Sequence, residues 1–173
     1  MKKHLQFLNK KRLMKWAPAV LLGALSLTGC EAQKTDRILT EEKLQAIEIG
    51  SIVKLSDLVH EKVVSVCVLH PYQDKVLDKY HENVAINKYL QDVKYQPDES
   101  HWSLVASNAG STNLYTFKRS KVLDIFASHG LKSSATVHLP ANFEMAECAS
   151  FDRAAFFKIS INDRIYLIFG SIK

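Results

Sequence analysis

Three cysteines, seven histidines and 18 carboxylates are the side chains of this 173-residue sequence most able to do chemistry. A cysteine nucleophile needs a base within reach and a group that orients that base. His70 lies three residues from Cys67 on a strand-like run, and simple alternation sends the two to opposite faces. Nothing local assigns a base to Cys67 or to Cys148, so a catalytic cysteine is the weaker reading. His60, His70, His81, His101, His129 and His138 are scattered. No His-Glu-x-x-His, Cys-x-x-Cys or calcium-loop spacing groups them with other ligands, so only an unsuspected convergence in space would make a metal site. Glu144 with Glu147, or Asp152 with Asp163, are carboxylate pairs on paper, but separation along the chain does not set the spatial separation that glycosidic chemistry requires. Phosphate loops and Gly-x-Ser-x-Gly elbows are absent, and Gly110 reads as a lone turn glycine. No catalytic residue, metal ligand or cofactor is assigned, and a non-enzyme is expected.

Cys30 has a different context. Lys2, Lys3, Lys10, Lys11, Arg12 and Lys15 precede an apolar stretch from Trp16 to Leu27, interrupted only by Pro18, Gly23 and Ser26. That stretch is too short to span a bilayer as a lasting helix and suits the apolar region of a signal peptide. It ends in Leu27-Thr28-Gly29-Cys30, which resembles the lipobox of a bacterial membrane lipoprotein. The resemblance implies diacylglyceryl attachment to the Cys30 thiol and cleavage between Gly29 and Cys30. Residues 1–29 would then be lost, and several acyl chains, at roughly 0.8 kcal/mol per buried CH2, would hold the chain to membrane lipid durably. The alternative is a transmembrane or ordinary secreted leader in which Cys30 is incidental. Glu31 stands where an Asp tends to retain such proteins in the inner membrane. Outer-membrane attachment facing the periplasm is therefore expected, ahead of the inner membrane.

Removing that leader changes the meaning of the charge. The whole chain carries 23 Lys plus Arg against 18 Asp plus Glu, and its pI is near 9.1. Residues 1–29 hold six of the basic residues and no acidic one, which leaves 17 against 18. A nearly neutral domain gives no support for nucleic-acid binding. Lys118-Arg119-Ser120-Lys121 reads as a solvated strand end or turn, with an acidic partner or lipid headgroups as its alternative.

The elements that must position these residues are mostly strands. Residues 30–43 read as the lipidated cysteine and a polar tether, and 44–173 as one periplasmic domain. Lys62 to His70 holds a β-branched run, apolar on both faces, as in a central strand. Ile86, Tyr89, Leu90 and Val93 recur at helical spacing over 83–93. Residues 102–118 read as a hairpin turning at Asn108-Ala109-Gly110-Ser111, and Arg153–Ile161 with Arg164–Ile172 as another turning at Asn162-Asp163. An α+β fold follows: mainly antiparallel, sandwich-like, with one or two helices.

Cys67 and Cys148 both sit in strand-like apolar segments of a chain expected in an oxidising compartment. A disulfide between them is expected, with two buried thiols as the alternative. Phe143, Phe151, Phe156, Phe157, Tyr166 and Phe169 crowd the carboxyl end, and alternation divides Phe156 from Phe157 and Tyr166 from Phe169. One set fills a core, and the other requires cover, expected from within the chain rather than from a partner.

The organisation of a lipidated leader followed by a strand-rich, cysteine-containing domain resembles immunity lipoproteins that neutralise toxins of type VI secretion. That likeness is of organisation and not of a motif, so no toxin-contacting residue is transferred. It implies a non-enzymatic protein-interaction module with a protein partner, such as a toxin effector. The competing class is a small-ligand or metal-binding envelope protein, with an enzymatic role left open.

Overall fold

The computed structural model describes residues 39–60, 63–77, 83–108, 110–126 and 137–173, all within Glu31–Lys173. The expected leader with Gly29 and Cys30, the expected tether up to residue 38, His81 and His129 lie outside the described residues. In chain order the elements are α1 (Glu41–Gln45), β1 (Ile52–Lys54), α2 (Leu55–Leu58), β2 (Ser65–Leu69), α3 (Asn83–Asp92), β3 (His101–Ser107), β4 (Thr112–Lys118), β5 (Asp124–Ile125), β6 (Phe143–Met145), β7 (Cys148–Ser150), β8 (Ala154–Ile161) and β9 (Arg164–Ile172). The fold is α+β, built on two sheets, with short helices that number three among the described residues rather than one or two. No helix of the described residues is long and apolar enough to cross a membrane.

The first sheet runs β1-β8-β9-β5, with β6 also paired to β9. The second runs β4-β3-β2-β7. All pairings are antiparallel except a two-residue parallel match of β5 to β9. Both expected hairpins form. Asn162 and Asp163 take φ of 49° and 59°, the left-handed conformation that a two-residue hairpin turn demands and that these side chains tolerate. At the other turn, Asn108 Oδ1 accepts from the backbone N–H groups of Gly110 and Ser111 at 2.8 and 2.7 Å.

One core lies between the sheets. Val66 and Val68 of β2, with Trp102, Leu104 and Ala106 of β3, meet Ala154 and Phe156 of β8 and Leu167 and Phe169 of β9. Trp102 stacks on Phe117 at 4.5 Å between centroids and meets Phe156 edge-on at 6.4 Å, so the indole bridges the sheets. The face of the second sheet turned away from this core is covered by α3, whose Ile86 and Leu90 pack on Cys67, Leu69 and Val105. Val93, expected on the same helical side, is exposed, because α3 ends at Asp92 and Lys94 turns the chain with a φ of 52°. The outer face of the first sheet carries Phe157, which is covered from within the chain by Phe143, 6.0 Å between centroids. Tyr166 meets Phe126 edge-on at 5.4 Å.

The amino-terminal edge of the domain reaches further back than 44. Leu39 is buried in the main core, and Thr40 caps α1, accepting from Lys43 N–H at 3.4 Å. Buried Lys158 of β8 then donates to the carbonyls of Gln45 and Ile47 at 2.6 and 2.7 Å, at the carboxyl end of α1. A cation suits that end of a helix, where carbonyls are left without intrahelical donors. Burial pushes the Lys158 pKa down.

Candidate functional site: the disulfide cleft

Cys67 and Cys148 stand directly opposite each other on β2 and β7. Ladder bonds run from Val68 N–H to the Glu147 carbonyl and from Phe151 N–H to the Val64 carbonyl. The cysteines therefore occupy a pair without ladder bonds, where antiparallel side chains come closest. Their Cα atoms are 4.0 Å apart and the sulfurs are joined in a disulfide. Buried Asn83 lies against this bridge, with Oδ1 3.8 and 3.7 Å from the two sulfurs. The disulfide sulfurs carry no hydrogen, so these are polar contacts rather than hydrogen bonds. The Asn83 amide is oriented by its Nδ2 donation to the Leu77 carbonyl at 3.0 Å. Val76 is held next to it by a reciprocal pair with Asn87, 2.8 Å from its N–H and 3.0 Å to its carbonyl.

Beside the bridge opens a cleft of about 270 Å³ lined by Ser65, Asn83, Cys148, Ala149, Ser150, Arg153 and Ser171. Strand register explains the grouping. Ser65 faces Ser150 across β2 and β7, two residues from the cysteines and on their side of the sheet. Arg153 comes from the turn just before β8 and Ser171 from the end of β9. Arg153 Nε donates to the Ile172 carbonyl at 2.9 Å, which fixes the guanidinium at this end of the sandwich. No carboxylate is among the described residues that line the cleft.

A second polar group sits at the β5 edge. Asp124 is fully buried, yet it receives Arg119 Nε at 2.7 Å and Nη2 at 3.1 Å, and Arg164 Nε lies 3.3 Å away. The carboxylate raises the Arg119 pKa through these bonds. Arg119 thus belongs to an internal ion pair rather than to a solvated basic run, while Lys118 and Lys121 are exposed as expected. Ser120 does form a turn, its N–H bonded to the Leu123 carbonyl at 2.8 Å.

The remaining chemically capable residues stay apart. Among the described residues no three His, Cys, Asp or Glu side chains gather as metal ligands. His60 and His138 are exposed, His70 is buried just past β2, and His101 bonds to Asp98 at the start of β3. Asp152 and Asp163 lie in the turns at opposite ends of β8, an eight-residue strand. Glu144 and Glu147 do not line the cleft. With both cysteines joined, neither sulfur is a free thiolate for nucleophilic attack. Sequence reasoning missed the cleft because Ser65, Ser150 and Ser171 become neighbours only through strand register. The one local trace was a small polar residue at the end of each strand. No family model matches the chain, and no curated protein or solved structure matches it either.

Proposed function

We propose that this chain is a bacterial lipoprotein, anchored through Cys30 in the outer membrane, whose domain acts in the periplasm as a non-enzymatic protein-interaction module. Within that class, the domain confers immunity to a secreted toxin effector. The observation that carries it is the order of Lys2 to Lys15, the Trp16–Leu27 apolar stretch and Leu27-Thr28-Gly29-Cys30. A domain stapled by Cys67–Cys148 supports the reading, since such bridges persist in an oxidising compartment. Replacing Cys30 with Ala should abolish labelling by a radioactive fatty acid and free the domain from the membrane fraction. Unchanged labelling or retention would overturn the anchor. For immunity, deletion should sensitise cells to their sisters, with rescue by the lipidated chain and capture of one effector by crosslinking. No effector captured and no change in competition would remove that reading.

A further inference from the structure

In the disulfide cleft the hydroxyls of Ser65, Ser150 and Ser171 and the Nη groups of Arg153 make no hydrogen bond to any described residue. Ser65 is only 7% exposed, yet its hydroxyl keeps contact with solvent at the cleft. Donors held by water alone are free to exchange it for the acceptors of a ligand. The chemistry of the lining defines those acceptors. Hydroxyls and a guanidinium are donors, and the described lining holds one full positive charge with no carboxylate to neutralise it. Guanidinium matches the spacing of carboxylate and phosphate oxygens. At about 270 Å³ the cleft lies just below the usual span of ligand pockets, roughly 300–1,000 Å³, which sets a small ligand.

We infer that the cleft beside the disulfide is a binding site for a small oxyanion, a free carboxylate or phosphate compound, held by Arg153 with Ser65, Ser150 and Ser171. This site stands independently of the lipid anchor and of any protein partner. Cys148 lines the same cleft, whereas Cys67 is wholly buried. A bound anion therefore shields the Cys148 sulfur, the side from which an external thiolate reaches the bridge. In that exchange a dithiothreitol thiolate attacks Cys148 Sγ, forms a mixed disulfide and expels Cys67 as thiolate. Its second thiol then releases Cys148 and leaves oxidised dithiothreitol.

The test uses the full chain at constant ionic strength and calorimetric titration with three probes. N-acetylglycine supplies a carboxylate, inorganic phosphate a tetrahedral oxyanion, and N-acetylglycinamide is the uncharged control. At least one anion should bind saturably at one site, and the amide at least tenfold more weakly. Which anion binds separates the carboxylate source from the phosphate source. Arg153→Gln should weaken binding at least tenfold and Ser65→Ala several-fold. Ser150→Ala, at an exposed position, repeats the test should Ser65→Ala unfold. Saturating anion should slow reduction of Cys67–Cys148 by dithiothreitol several-fold in the parent chain and not in Arg153→Gln. Absence of saturable binding by both anions, equal binding of the amide, or affinity indifferent to Arg153→Gln would overturn the proposal.

Discussion

The two polar assemblies, one at the β7 edge and one at the β5 edge, solve opposite problems. At β5 the carboxylate is committed: Asp124 takes both arginines, and Arg119 Nη1 also donates to the Glu99 carbonyl at 2.9 Å. At β7 the cross-link is covalent, and the neighbouring Ser65, Ser150, Ser171 and Arg153 keep donors in reserve. The contrast teaches where to look for function. Saturated charge holds strands together and has little left for a ligand, whereas a covalent staple performs the holding and frees its surroundings to bind.

Breaking the staple should have the largest effect. Cys67 and Cys148 are 81 residues apart, and closing a loop of that length stabilises a fold by roughly 4 kcal/mol on the chain-entropy account. The double variant Cys67→Ala/Cys148→Ala should show a urea midpoint well below that of the oxidised parent. Reductant should lower the parent toward the variant and leave the variant unmoved. Equal midpoints in both would mean that the bridge is idle.

Breaking the ionic joint comes next. Asp124→Ala strips the carboxylate from two arginines and empties a fully buried site. The arginine side chains are 32% and 38% exposed, so water partly rescues them, and a loss of about 3 kcal/mol is expected, at the low end for buried pairs. The comparison also predicts independence. Asp124 variants should lose the same stability with the disulfide reduced as with it formed, within about 0.5 kcal/mol, because the joints share no partner. Coupling larger than that would show that the two edges act as one.

A smaller loss should come from a joint that is neither covalent nor ionic. At Gly170 of β9 an added Cβ would overlap the Glu144 carbonyl oxygen and press on the Phe143 ring, so β6 must shift from its pairing. Because one of those neighbours is backbone, Gly170→Ala should cost about 2 kcal/mol, measured by thermal unfolding.

What sequence reasoning could reach was local. Asn162-Asp163 and the Asn108 turn carry their own conformational preference, and the 83–93 spacing fixed the buried side of α3 through Ile86 and Leu90. The cysteine pair was reachable because a chain expected outside the cytoplasm has few alternatives for two apolar cysteines. The Asp124 joint was not, because Arg164 reaches it only through β5 lying parallel to β9, a pairing of two residues with no periodic signature. Lys158 likewise sits in an apolar strand, and only the arrival of α1 gives its ammonium two carbonyls. The cleft serines were hidden for the same reason, since polarity at a strand end normally means solvent.

The smallest effect concerns the loop entering β3, which anchors the committed edge through the Ser100 carbonyl, acceptor of Arg119 N–H at 2.8 Å. Exposed Asp98 organises that loop. Its Oδ1 accepts from Ser100 Oγ at 2.7 Å and from Ser100 N–H at 2.6 Å, and Oδ1 and Oδ2 each lie 3.1 Å from His101 Nδ1. The Ser100 hydroxyl first, and His101 second, lower its pKa from 3.8 to about 2. A carboxyl whose folded pKa is depressed binds more protons unfolded than folded between those values, so stability rises with pH across that window. The contribution is complete above about pH 4 to 5 and vanishes as pH falls through 2. The urea midpoints of the parent and Asp98→Asn should thus differ slightly and constantly from pH 5 to 7 and converge toward pH 2. Asp124→Ala supplies the contrast that sharpens the comparison of edges, because its gap from the parent should persist at pH 5 to 7 as the larger of the two. A gap for Asp98→Asn that widens on acidification would reverse the sign and refute the assignment of the loop to this carboxylate.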